Sequence, residues 1–247
     1  MSAARARRGP LRVGVLVSGS GTNLQSILDQ CARGRIDADV TVVISNRPEA
    51  YALSRARRAG VPAVVVSHKD FPERERFDAR LIEVLREHRV DLVCLAGFMR
   101  LLTPAFIRAF PGRILNIHPA LLPAFPGLEV QRKAADHGVR FSGCTVHLVD
   151  EGCDTGPIVI QAVVPVAPGD TAETLAARIL KQEHRVYPRA IQLFAEGRIE
   201  VAPGTRVVRI KGAVFVERAL VNPPLRDRKR ARPAPGRSSR TPKKRKR

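Results

Sequence analysis

Apolar and polar positions along the first half of the chain repeat one unit. A short β-branched run is followed by a stretch with helical apolar spacing, and the pair recurs. Residues 12–18, R-V-G-V-L-V-S, read as a strand, and 22–30 place Leu24, Ile27 and Leu28 on one helical face. A second strand is expected at 39–46, a helix over about 49–59, a third strand at 61–66 and an amphipathic helix at 77–88. Fourth and fifth strands are expected at 90–97 and 113–118. Strands that are apolar almost throughout, alternating with helices, predict a parallel sheet covered on both faces. The rhythm then changes. Residues 141–149 and 157–166 are strand-like with no long helix between them, which predicts antiparallel strands added to the sheet. A helix over about 171–196 follows, capped by Thr171 with Thr174 or by Asp170 with Glu173, and a hairpin over 198–216 comes last.

The pattern divides the chain into a basic segment 1–10, one α/β domain 11–219 and a tail 220–247. The tail is made of Pro, Arg, Lys, Ser and Gly with few apolar residues, and disorder is expected there. Composition changes this picture in one respect. The net charge of +20 suggests a nucleic-acid partner, but residues 220–247 hold 12 Lys and Arg against one Asp and so supply +11 of it. Arg5, Arg7, Arg8 and Arg12 add +4, which leaves a mildly basic folded part. A tail of this kind binds nucleic acid, if at all, by charge and without sequence specificity. It carries no aromatic residue to stack on bases, and a solvated tail with no partner is the competing reading. No apolar run reaches the length of a membrane helix, and the N-terminus lacks the apolar core of a signal peptide, so a cytoplasmic protein without a membrane is expected. Cys31, Cys94, Cys144 and Cys153 form no C-x-x-C pair and read as small hydrophobes in a reducing compartment. No Cys and His residues have the spacing of a metal site, and no metal is expected.

Candidate chemistry sits where the apolar pattern breaks. Ser18 to Leu24, S-G-S-G-T-N-L, joins the first strand to the first helix. Glycines there let backbone N–H groups approach an anion, although the same residues also make a capped tight turn. It is neither a G-x-x-x-x-G-K loop nor a G-x-G-x-x-G fingerprint, since Leu24 stands in the place of the third glycine. Asn116 and His118 lie two apart on the fifth strand and so share a face, as a satisfied polar pair or as a site. Both motifs fall at strand carboxyl ends, where ligands of open α/β sheets bind. Asp150 to Pro157, D-E-G-C-D-T-G-P, separates two apolar strands; its carboxylates can meet His118 or merely make a turn. His147 alternates with apolar neighbours and reads as structural, while His68, His88 and His137 read as surface or cap residues. Glu183, beside His184 on the last helix, belongs either to the site or to a solvated helix face.

Taken together, five stretches in this order resemble the phosphoribosylglycinamide formyltransferase family: V-L-V-S-G-S-G-T-N-L-Q, L-A-G-F-M-R-L-L, L-N-I-H-P-A-L-L-P-A-F-P-G, G-C-T-V-H-L-V-D-E-G-C-D-T-G-P-I-V-I-Q and Q-E-H-R-V-Y-P. The resemblance spans about residues 11–200. It implies a Rossmann-like formyltransferase fold and transfer of the formyl group of 10-formyltetrahydrofolate, a co-substrate, to the amine of glycinamide ribonucleotide in purine biosynthesis. By the same resemblance Asn116, His118 and Asp154 match the catalytic trio, and Gly21, Thr22 and Asn23 the loop that holds the substrate phosphate. Glu183 matches a carboxylate that contacts the substrate. Arg74, Met99, Arg100, Leu101 and Leu102, together with Asn116, match positions around the folate, and the backbone of Glu151 to Asp154 would border the pterin. Two positions depart from the family pattern. Glu129 stands where His is common, and Leu180 where a polar residue near the phosphate is common, so that phosphate affinity would lean on the loop or on Lys181. Two folate-linked relatives are disfavoured: the formyltransferase acting on methionyl-tRNA, expected to carry a folded domain after about residue 200, and the deformylase, expected to carry an N-terminal domain. Monomer and dimer remain equally open.

Overall fold

The computed structural model describes residues 9–214 together with Leu220 and Asn222. The chain divides into two units, Met1–Glu217 and Arg218–Arg247. The expectations for segment 1–8, for the end of the last hairpin and for nearly all of the tail lie outside the described residues.

Seven strands form one sheet: β1 (Leu11–Val17), β2 (Ala38–Ser45), β3 (Ala63–Val65), β4 (Leu92–Leu95), β5 (Ile114–His118), β6 (Phe141–Leu148) and β7 (Ile158–Pro165). Their order is β3-β2-β1-β4-β5-β6-β7. The pairs from β3 to β5 are parallel, and β5–β6 and β6–β7 are antiparallel. This is the mixed, doubly covered sheet expected from the sequence. Alternate residues of β1, β2 and β4 feed two cores. Val13, Val15, Val43 and Cys94 pack on one face under α1 (Thr22–Ala32) and α6 (Ala172–Ala195). Leu16, Ile44 and Val93 pack on the other face under α3 (Arg74–Glu87) and α4 (Pro104–Ala109). Each Leu, Ile or Val buried this way contributes about 1.5–3 kcal/mol of transfer free energy. The remaining elements are α2 (Tyr51–Arg58), α5 (Val130–His137) and the hairpin β8 (Ile199–Val201) with β9 (Val208–Ile210).

The structure differs from the sequence expectation in three places. The helix expected at 77–88 begins earlier, at Arg74, because its first turn is polar and carries no apolar period. Helix α4, of six residues, and α5, of eight, were not expected from the sequence; Thr103 caps α4 by accepting the Phe106 N–H at 3.4 Å. Of the two caps offered for α6, Thr171 with Thr174 is the one used, while Asp170 forms a two-pronged pair with Arg178 at 2.7 and 2.8 Å.

Two side chains of α6 tie it to the rest of the domain. The hydroxyl of the fully buried Tyr187 is shared between the carbonyls of Leu95 and Leu115, 3.0 Å from each, and so clips the ends of β4 and β5. Pro188 lies inside α6 and has no N–H for the carbonyl of His184. Ser26 Oγ, on α1, donates to that carbonyl at 2.9 Å instead.

Sheet order decides where a ligand can bind. The chain leaves β1 to one side through α1 to β2, whereas β4 lies on the other side of β1. Loops after β1 and β4 therefore diverge and leave a crevice at the strand carboxyl ends.

Candidate active site

The crevice has two neighbouring parts. The first is a cleft of about 300 Å³ lined by Ser18 to Asn23, Arg47, Ala96, Gly97 and Met99. Gly21 precedes α1 in the left-handed conformation, φ 71°, and a Cβ there would stand 2.6 Å from that of Ala52. Only glycine fits both demands. It brings no capping side chain, and the first turn of α1 holds no acid. The first N–H groups of α1 and the positive end of its dipole are thus left open to an anion. Arg55 braces the loop: Nε donates to the Ser20 carbonyl at 2.8 Å, Nη1 to Gln25 Oε1 at 3.1 Å, and the guanidinium lies 4.9 Å from the centre of the Tyr51 ring. Asn23 Nδ2 donates to Glu183 Oε2 at 2.6 Å, while Asn23 Oδ1 is buried without a partner among the described residues. Glu183 is 7% exposed, which removes the solvated-face reading. Burial pushes its carboxyl above the ordinary value, against the opposing Asn23 hydrogen bond.

The second part is built on β5 and β6. Asn116 and His147 are direct partners across the antiparallel pair, and Asn116 Nδ2 lies 3.0 Å from His147 Nε2. His147 Nδ1 faces the Leu148 carbonyl at 2.9 Å and so carries a hydrogen, which leaves Nε2 to accept from Asn116. His147, read from sequence as structural, belongs to the site and fixes the Asn116 amide. No sequence signal marks this pairing, because the register of β6 on β5 is set across the long connection 119–140. His118, buried, points Nε2 at the Phe125 carbonyl at 2.8 Å and Nδ1 at Asp154 Oδ2 at 3.3 Å. Both of these neighbours are hydrogen-bond acceptors.

Asp154 is the centre of this part. It lies 3.3 Å from His118 and 3.6 Å from His147, accepts the Gly127 N–H at 2.9 Å and meets Asn116 Nδ2 at 3.4 Å. Burial alone would raise its carboxyl; the Gly127 N–H and His118 are among the neighbours that outweigh burial and hold it at about 2. Asp154, Phe125 and Glu129 all have positive φ, at 56°, 53° and 56°. Three non-glycine residues in this conformation around one crevice mark strained backbone held by its surroundings. The turn that presents Asp154 is stapled by Asp150, whose Oδ1 accepts from Gly152 N and Thr155 Oγ1 at 3.1 and 2.6 Å. Gly156 closes it, since a Cβ there would meet the Leu148 carbonyl oxygen at 1.8 Å.

Ala96, Gly97 and Met99, in the segment after β4, line the first part. Ser18 Oγ accepts the Met99 N–H at 2.8 Å and donates to buried Asn46 Oδ1 at 2.6 Å. Arg74 Nη2 donates to the Leu101 carbonyl at 2.9 Å. Met99 and Leu101 are exposed, Arg100 is half-buried and Leu102 is buried. Glu151 to Cys153 are exposed beside them in sequence with Asp154. Glu129 points away from this chemistry: it precedes α5, is exposed and pairs with Arg132. Leu180 is half-buried and Lys181 exposed on α6, and neither lines the cleft. Sequence reasoning missed Arg47, which does.

An amide, an imidazole and a carboxylate meet at the end of one strand, beside an uncapped helix and an apolar, arginine-bearing loop. The sequence profile of the formyl transferase family matches residues 11–191. The chain belongs to the formyl transferase family. Over 195 residues it is 52% identical to the trifunctional purine biosynthetic protein adenosine-3 of Drosophila melanogaster, covering 78% of this chain and 14% of that protein. The chain thus spans only about one seventh of the length of that relative. The phosphoribosylglycinamide formyltransferase of Escherichia coli K12 is 44% identical over 191 residues, covering 77% of this chain and 90% of that one. The crystal structure of glycinamide ribonucleotide transformylase 1 from Symbiobacterium toebii superposes with a TM-score of 0.80 at 59% identity, covering 83% of this chain and 95% of that one. The chain shares its α/β fold with these relatives. Among the described residues no helix is long and apolar enough to cross a membrane, and no group of three or more His, Cys, Asp and Glu is placed to hold a metal ion.

Proposed function

We propose that the protein transfers the formyl group of 10-formyltetrahydrofolate to the amine of glycinamide ribonucleotide, giving formylglycinamide ribonucleotide and tetrahydrofolate. The observation that carries this reading is the meeting of Asn116, His118 and Asp154 within hydrogen-bonding range, next to an open helix N-terminus suited to a phosphate. The cleft at Gly21, Thr22 and Asn23 takes the phosphate, and Glu183 faces the ribose and glycinamide side through Asn23. The folate lies along 99–102. Exposed Met99 and Leu101 suit a flat ring system, and Arg74 and Arg100 suit its acidic end.

The chemistry follows from the donors. Attack of the amine on the formyl carbon forms a C–N bond and places negative charge on the formyl oxygen. One Asn116 amide hydrogen is held by His147; the other reaches Asp154 at only 3.4 Å, long for a hydrogen bond, and is the one a developing oxyanion takes. His118, held by Phe125 and Asp154, stabilises the same charge in its protonated form. Asp154, ionised at neutral pH, receives the amine proton through a water and returns it to the folate nitrogen as the old C–N bond breaks. Protons and bonds balance with no other reactant. We place this reaction in the cytoplasm, where the four free cysteines stay reduced.

The test is appearance of tetrahydrofolate from 10-formyltetrahydrofolate, with and without glycinamide ribonucleotide. Turnover is expected to require the ribonucleotide and to fall about 100-fold or more in Asp154→Asn. Turnover of equal rate without the ribonucleotide would make the protein a hydrolase instead.

A further inference from the structure

A phosphate monoester carries close to two negative charges, and the cleft described above meets it mainly with dipoles. The loop supplies N–H groups and α1 its positive end, roughly half a charge. Glu183, which holds Asn23 of the loop, has the wrong sign. Among the described residues, Arg47 is the one cationic side chain lining the cleft. Its backbone is fixed: its N–H donates to Ser45 Oγ at 3.1 Å, its carbonyl accepts from Ser45 Oγ at 2.8 Å and from the Ala50 N–H at 3.2 Å. Next to it, Asn46 is 2% exposed and bound to Ser18 at the start of the loop. The guanidinium itself is exposed and has no hydrogen-bond or ionic partner among the described residues. Arg55, nearby, is the contrast: its guanidinium is committed to Ser20, Gln25 and Tyr51. One arginine shapes the loop, and the other stands ready at its rim.

We propose that Arg47 is the charge partner of the substrate phosphate, closing on it from the β2 side and taking the part that Leu180 cannot play and that Lys181, outside the cleft, does not reach. The inference rests on the reading of this cleft as the phosphate site. A planar guanidinium grips phosphate oxygens in pairs, which a lysine ammonium does not. Arg47 thereby sets the preference for a phosphorylated substrate.

The deciding experiment is calorimetric titration of the full chain with ribose 5-phosphate, for wild type, Arg47→Gln, Arg47→Lys and Lys181→Gln. Binding is expected to weaken about tenfold or more in Arg47→Gln, to be intermediate in Arg47→Lys and to stay within about twofold in Lys181→Gln. Equal binding by wild type and Arg47→Gln, loss in Lys181→Gln instead, or no binding to wild type overturns the proposal. Steady-state kinetics supply a second reading: KM for glycinamide ribonucleotide rises by a similar factor in Arg47→Gln, while kcat and the folate KM hold. Arg47-dependent binding in a protein that transfers no formyl group would uphold Arg47 and remove only the assigned reaction.

Discussion

At the scale of single residues, Asp154 joins the chemistry to stability. Its carboxyl sits at about 2 when folded and near 3.8 otherwise, so its partners stabilise the fold while it is ionised. That contribution is complete above about pH 5, is lost as pH falls through about 2, and amounts to roughly 2 kcal/mol. Urea unfolding of wild type from pH 6 to 2 is expected to show this loss, and Asp154→Asn to show a flatter profile over the same range. Equal slopes in the two proteins would mean that the Gly127 N–H and His118 do not hold the carboxyl down. This scale also shows what a sequence carries and what it hides. Asn116 and His118 stood out because polar residues end an apolar strand, whereas Asp154 was singled out by the family resemblance, its own stretch reading equally as a turn. His147 was not legible, since its role comes from a cross-strand register that no local pattern encodes. Arg47 was hidden for a different reason: one arginine among many on a basic chain carries no local mark, and only the fold brings it beside the glycine loop.

At the scale of elements, the strands and helices of the repeating strand–helix rhythm were readable by period, and α4 and α5, which lie outside that rhythm, were not. The last helix was legible in extent, yet its internal flaw is visible only in three dimensions. Pro188 removes the donor for His184, one residue from Glu183, and Ser26 replaces it from α1. Ser26→Ala should therefore lower stability by about 1–3 kcal/mol, the range for a buried carbonyl left unpaired. The loss should shrink in a Pro188→Ala background, where the helix regains its own N–H donor. A Ser26→Ala cost that is the same in both backgrounds would show that the hydroxyl matters for packing instead. The same bond docks α6 on α1, and with it the Glu183–Asn23 contact at the glycine loop.

At the scale of the molecule, the mixed sheet explains why one crevice holds two kinds of residues. Parallel strands β1 to β4 deliver loops and helix ends, which suit charge and phosphate. The antiparallel turn back through β6 delivers side chains face to face with those of β5, which suits proton handling. Most of the net charge, by contrast, resides in 220–247, almost wholly beyond the described residues, so the basic composition says little about this crevice.

One hydroxyl spans that crevice. Ser18 holds Met99, on the loop read as the folate's, and Asn46, which adjoins Arg47 on the phosphate side. If either ligand stills this shared joint, the other finds part of its ordering already done. The two affinities are then linked, and linkage is reciprocal: the factor by which the ribonucleotide tightens tetrahydrofolate equals the factor by which tetrahydrofolate tightens the ribonucleotide. Titrating each with and without the other should return one factor of about fivefold or more in wild type, and a factor near one in Ser18→Ala. A wild-type factor of one, or one that survives the substitution, would mean the two halves bind as strangers. Otherwise the protein senses that both partners are present through a single oxygen atom.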